Sequence, residues 1–222
     1  MRAGALTTVC GPGGVGKTRI AIEAARAFGA AGGSWDGIWW CDLSSVAADS
    51  VDGVAIAVAA ALGASPDRSV AIHDRILGFL AGKDLVLVID NCEHVLDDVA
   101  SLVEALVASC AGVRVLVTSR ESLSVAGEWA WRVPSLPAGS AGSELFVERA
   151  ESTAAGFEPD SDDLVVIAEI CERLDGIPLA IELAAARVKL LTPEQILARL
   201  ESNLGVLATS AQDLPERQRT MR

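Results

Sequence analysis

Near the start of the chain, Gly11-Pro12-Gly13-Gly14-Val15-Gly16-Lys17-Thr18 follows the spacing G-x-x-x-x-G-K-[ST]. Residue types at that spacing suit the capture of a polyphosphate. Glycines let consecutive main-chain N–H groups curl inward without Cβ clashes. The Lys17 ammonium can then reach the terminal phosphates, and the Thr18 hydroxyl can ligate Mg2+. A helix that opens directly after the loop turns its positive end toward the same phosphates. Context strengthens the pattern: the β-rich segment Ala5 to Cys10 runs into it, and a helical pattern from Lys17 to Ala30 runs out of it.

A carboxylate closes the apolar run Asp84-Leu85-Val86-Leu87-Val88-Ile89-Asp90. Asp90 at a strand end is placed to hold the Mg2+ shell, directly or through water. A second acidic residue next to it would polarise an attacking water, but Asn91 stands there and is a poor base. Glu93 is the remaining candidate base; a Glu opening a helix also serves the helix dipole, and both roles stay open. His94 reads as a helix-start residue without a role. Hydrolysis is accordingly expected to be slow. Arg120 ends the stretch Val117-Thr118-Ser119-Arg120. At the carboxyl end of a parallel strand it can sense a γ-phosphate, or it is a solvated loop residue. The expected catalytic set is Lys17, Asp90 and Arg120, with Thr18 and Asp90 on the metal.

These groups need a scaffold of strands that end side by side. Gly37 to Leu43 reads as a second strand, Asp84 to Asp90 as a third, Arg114 to Thr118 as a fourth and Trp129 to Val133 as a fifth. Continuous apolarity in the third marks burial on both faces, as in a parallel sheet. Helical patterns lie between them at Val51 to Leu62, at Val70 to Leu80, and along Val95, Val99, Leu102 and Leu106. Alternation of the two implies an α/β layered fold with right-handed crossovers. Gly29, Gly32 and Gly33 break the first helix.

After Pro134 and Pro137 only helices are expected: Glu144 to Ala155, Asp162 to Leu174, Ile177 to Leu191 and Pro193 to Leu204. Thr192 caps the last, with Pro193 at its first position. Gly176-Ile177-Pro178-Leu179 breaks one helix and starts the next, and Pro at a first turn carries no functional weight by itself. The expected division is a nucleotide-binding domain over residues 1–138 and a small all-helical subdomain over residues 139–222. The ending Gln218-Arg219-Thr220-Met221-Arg222 reads as a piece cut from a longer protein.

Composition narrows the function classes. The 222 residues are 51% hydrophobic and 22% charged, which is a globular balance. A formal net charge of −12 argues against direct nucleic-acid binding by this segment, whereas phosphate capture needs only a nest of amides and one or two cations. Cys10, Cys41, Cys92, Cys110 and Cys171 are odd in number and contain no CxxC pair, so neither a zinc site nor a disulfide framework is expected. No secretory signal and no uninterrupted membrane-length apolar run are visible, and the cytoplasm is the expected compartment. An N-K-x-D base-reading motif is missing, which favours adenine over guanine. A partitioning-type ATPase would carry a signature lysine where Pro12 stands.

Four segments together resemble the STAND class of signal-transduction ATPases, the NB-ARC-like group, in its bacterial transcriptional-regulator branch. They are GPGGVGKTR over Gly11 to Arg19, LVLVIDNCEHV over Leu85 to Val95, LVTSRE over Leu116 to Glu121, and CERLDGIPLAIELAAAR over Cys171 to Arg187. The resemblance implies a five-stranded parallel P-loop sheet followed by a helical domain. It implies that Gly11 to Arg19 bind an adenine nucleotide, that Arg120 matches the sensor arginine, and that Pro178 matches the proline of the GLPL motif, which packs on the nucleotide. It further implies a switch, closed with ADP and opening or self-assembling with ATP, that continues into a winged-helix domain and a repeat-containing sensor region. A plain nucleotide-binding module with negligible hydrolysis is the competing reading.

Overall fold

The computed structural model describes residues 5–31, 35–64 and 69–202. Gly32, Gly33, Leu204 and the stretch Gln218 to Arg222 lie outside the described residues. Two compact units are present: residues 5–11 with 17–133, and residues 12–16 with 134–202.

The first unit holds five strands: β1 (Leu6–Cys10), β2 (Gly37–Asp42), β3 (Leu85–Asp90), β4 (Val113–Ser119) and β5 (Glu128–Arg132). All pair in parallel, in the order β2-β3-β4-β1-β5. The helices are α1 (Lys17–Ala30), α2 (Gly53–Leu62), α3 (Ile72–Leu80) and α4 (Leu96–Ser109). Every residue of β3 is buried, as its unbroken apolar run requires. The pleat divides that run between two cores. Leu85, Leu87 and Ile89 join Leu6, Val113, Val115 and Val117 against α2, α3 and α4. Val86 and Val88 pack on Ala21 and Ala25 of α1, with Phe28, Trp40 and Leu116 around them. The small residues of α1 let that helix lie close to the sheet.

β5 is an edge strand, and Trp129 and Trp131 on it are exposed. It starts one residue before the expected Trp129, because Glu128 already pairs in register with Leu6 of β1; the Glu128 carboxylate also accepts from the Leu123 and Ser124 amides at 2.9 and 2.8 Å.

The helices of the second unit are α5 (Ser143–Thr153), α6 (Ser161–Arg173), α7 (Pro178–Ala185) and α8 (Pro193–Ser202). Phe146, Ile167, Ile170, Cys171, Ile181, Ala184 and Ile196 form its core. Asp160 caps α6 through the Asp162 and Asp163 amides, and Asp163 returns a bond to the Asp160 amide. The same reciprocal arrangement opens α8, where Thr192 and Gln195 exchange bonds. The expected helix to Leu191 is shorter: α7 ends at Ala185 and tightens into a 3-10 turn over Ala186–Lys189. There the Arg187 carbonyl accepts from both Leu190 and Leu191, satisfying helix-end acceptors locally.

All five cysteines are free and buried. Burial pushes the Cys171 thiol up to about 11, and burial with the Asp42 charge does the same for Cys41. Two pKa units leave about a hundredfold less thiolate. Alkylation of the native chain at pH 8, followed by mass spectrometry, is expected to leave Cys41 and Cys171 unmodified until denaturant is added. Rapid labelling of both in the native state would contradict this core.

Candidate functional site

The parallel sheet brings the carboxyl ends of β1, β2, β3 and β4 to one rim, with Asp42 in register with Asp90 and Cys10 with Ser119. The chain leaves β1 at Gly11, whose amide donates to the Ser119 carbonyl at 3.3 Å. Gly14 and Gly16 have φ of 78° and 98°, the left-handed region that a side chain disfavours. Lys17 and Thr18 open α1, which carries no acidic residue in its first turn, so no carboxylate competes there for the helix-end amides. Arg19 follows on the same turn and is exposed.

Lys17 is half-buried, and its Nζ donates to the Gly11 carbonyl at 2.8 Å. Burial pulls its ammonium below the ordinary lysine range. Glu93 is the strongest charge opposing that shift, the Arg120 cation reinforces it, and Asp90 opposes it. A partly desolvated cation beside a second cation favours an anionic ligand.

Asp90 is fully buried and densely bonded. The Thr18 hydroxyl lies 2.9 Å from Asp90 Oδ1 and 3.2 Å from Oδ2 and donates to the carboxylate. The Thr118 hydroxyl donates to Oδ1 and accepts from the Asn91 amide at 3.1 Å. Asn91 Nδ2 donates to Asp90 Oδ2 at 3.2 Å and to Asp42 Oδ1 at 2.8 Å. Asn91 therefore ties the ends of β2 and β3 together, with its backbone at φ 64°. Arg120 Nε sits 3.6 Å from Glu93 Oε1. The His94 imidazole lies 2.8 Å from the Val46 carbonyl, on the loop after β2.

The loop apex, residues 12–16, belongs to the helical unit. Leu179, in the first turn of α7, donates its amide to the Gly14 carbonyl at 3.2 Å. A Cβ on Gly14 would come within 2.7 Å of the Leu179 Cβ. Pro178 opens α7, as its fixed φ and missing N–H allow.

A family model described as the NB-ARC domain matches residues 2–134. The chain belongs to the NB-ARC family. A Mycobacterium tuberculosis protein whose name provisionally assigns it to the HTH-type transcriptional regulators is 40% identical over 217 residues, covering 98% of this chain and 24% of its own length. An uncharacterized M. tuberculosis protein is 40% identical over 208 residues, covering 93% of this chain and 51% of its own. The chain thus spans a quarter and a half of these two relatives. Among solved structures, a STAND protein with a tetratricopeptide repeat sensor from Pyrococcus horikoshii aligns at TM-score 0.53 and 16% identity, over 96% of this chain and 31% of its own. The Cdc6p structure from Pyrobaculum aerophilum aligns at 0.60 and 15%, over 83% and 55%. At these identities the likeness is one of fold.

Within this NB-ARC chain, Lys17, Thr18, Asp90 and Arg120 meet at one rim, and Glu93 stands among them. Sequence reasoning missed Asp42, Thr118 and Leu179. Asp42 closes an apolar run just as Asp90 does, which was a usable signal. Leu179 had none, since its contact is made through main-chain atoms.

Proposed function

We propose that this NB-ARC chain is the nucleotide-dependent switch of a STAND-type regulator, binding Mg·ATP or Mg·ADP and hydrolysing ATP slowly. The observation that carries the reading is the Thr18 hydroxyl held at 2.9 Å from the Asp90 carboxylate, directly after a glycine loop and next in sequence to the half-buried Lys17. In this reading Gly11 to Arg19 hold the phosphates, Pro178 packs on the nucleotide, Arg120 senses the γ-phosphate, residues 1–138 form the nucleotide-binding domain and residues 139–222 the helical subdomain. Thr18 and Asp90 offer hard oxygen donors, as Mg2+ prefers, and Mg2+ usually keeps only one or two protein ligands. When bound, the ion would neutralise charge building up on the phosphates.

The name of the 24%-covered relative supports transcriptional output, with DNA contact in segments beyond this one, given the net charge of −12 here. A winged-helix domain, a repeat sensor and ATP-driven self-assembly complete the proposal, and cytoplasmic residence fits it; no described helix is long and apolar enough to cross a membrane. Asn91, committed to Asp42 and Asp90, favours the second reading of a binding module without turnover.

Titrating ATP into wild type and Asp90→Asn, with Mg2+ and with chelator, tests the metal role. The variant is expected to lose most of the Mg2+-dependent gain in affinity while its chelated affinity stays within about threefold. Equal losses in both conditions would contradict it.

A further inference from the structure

Around the nucleotide loop three carboxylates compete for the role of proton acceptor, and their environments differ. Asp90 accepts from Thr18, Thr118 and Asn91. Asp42 accepts from the Ser44 amide at 2.9 Å and from Asn91 at 2.8 Å. Donors on a carboxylate stabilise its charged form and make it a weaker base. Glu93 is different. Its Oε2 is buried without a hydrogen-bond partner, and its Oε1 faces Arg120 Nε at 3.6 Å, longer than a hydrogen bond. Its partner Arg120 follows β4 at the rim that also carries Asp90, and among the charges acting on the Lys17 ammonium Glu93 is the strongest. A buried acceptor left unsatisfied is costly, so its persistence asks for a ligand. Helix-dipole service does not account for it, because α4 already carries Asp97 and Asp98 in its first turn.

We propose that Glu93 takes the proton of the attacking water and that Arg120 clasps Glu93 until a γ-phosphate draws the guanidinium away. This rests on the ATP-binding reading above. In the step, the water oxygen forms a bond to the γ-phosphorus while the bond from that phosphorus to the β–γ bridging oxygen breaks. The electron pair of the broken bond stays on the β-phosphate of the departing ADP. The water proton passes to the spare Glu93 Oε2 and then to solvent. Arg120, half-exposed and loosely paired, exchanges Glu93 for the incoming phosphate oxygens at little cost. ADP lacks that group, so the clasp stays shut with ADP and opens with ATP. Asn91 takes no part in proton transfer; it keeps Asp42 and Asp90 in place.

Three variants of the 222-residue chain test this: Glu93→Gln, Glu93→Asp and Arg120→Ala. Equilibrium binding of Mg·ATP and Mg·ADP is measured beside single-turnover phosphate release at saturating ATP. Glu93→Gln is expected to bind ATP within about threefold of wild type and to release phosphate at least about 100-fold more slowly. Glu93→Asp, with its charge retained on a shorter arm, is expected to fall between. Arg120→Ala should weaken ATP about tenfold and leave ADP unchanged. Glu93→Gln turning over at the wild-type rate, or a wild type that binds ATP and never cleaves it, overturns the role of Glu93. Equal losses of ATP and ADP in Arg120→Ala overturn the clasp. A wild type that binds neither nucleotide overturns the switch reading itself, a distinct failure visible before any variant is made.

Discussion

Replacing Lys17 with alanine is expected to weaken both ATP and ADP by about 10- to 100-fold, the loss of one charge-assisted phosphate contact of about 1.5–3 kcal/mol. The site gives little else that could take its place. Lys17 opens α1 directly after the glycine loop, and Arg120, the nearby cation, faces Glu93. Stability should move far less than affinity. Burial and the Arg120 cation disfavour the ammonium, while Glu93, Asp90 and the Gly11 carbonyl favour it, so opposing influences act on the folded chain. Isothermal titration with a parallel thermal melt reads both. A folded Lys17→Ala variant that binds ATP as tightly as wild type would remove the basis for a phosphate site here.

Phe146→Ala is expected to destabilise the helical unit strongly. Phe146 is fully buried at the centre of the helical unit, among Ile167, Ile170, Ile181 and Ala184. Truncating a buried Phe removes its transfer free energy and leaves a cavity, together about 3–5 kcal/mol. In a unit of this size that lowers the melting temperature by about 12 °C or more. All five tryptophans lie in the other unit, so indole fluorescence follows the sheet unit, while far-UV circular dichroism follows the helices of both; the part of the ellipticity change that precedes the fluorescence transition reads the helical unit. If no part of the ellipticity change moves down by more than about 3 °C relative to wild type, Phe146 is not in a close-packed core.

Legibility in the sequence varied with how local the cause was. β3 was plain, because a strand buried on both faces has no polar residue until Asp90 ends it. The loop was plain too, since its spacing is a direct image of phosphate geometry. Asn91 was legible only as a missing base. Its bond to Asp42 depends on β2 pairing with β3 in a register that sets Asp42 beside Asp90, and strand order is not written in any one segment. Pro178 reads from the sequence as a helix starter, while its neighbour Leu179 makes the contact to Gly14 through an amide every residue type shares. The shortening of α7 is not legible in the sequence because Ala186 to Leu191 keep good helical composition, and the tightening reflects local acceptor bonding at Arg187.

The left-handed backbone of Asn91 filters inheritance at that codon twice. Shape admits glycine, asparagine and aspartate and penalises branched or bulky types. Charge then divides those three: glycine drops the tie between adjoining strand ends, and aspartate sets a third negative group against Asp42 and Asp90. A lineage that gained the acidic form would need a matching change at Asp42. The two codons should therefore drift as a pair.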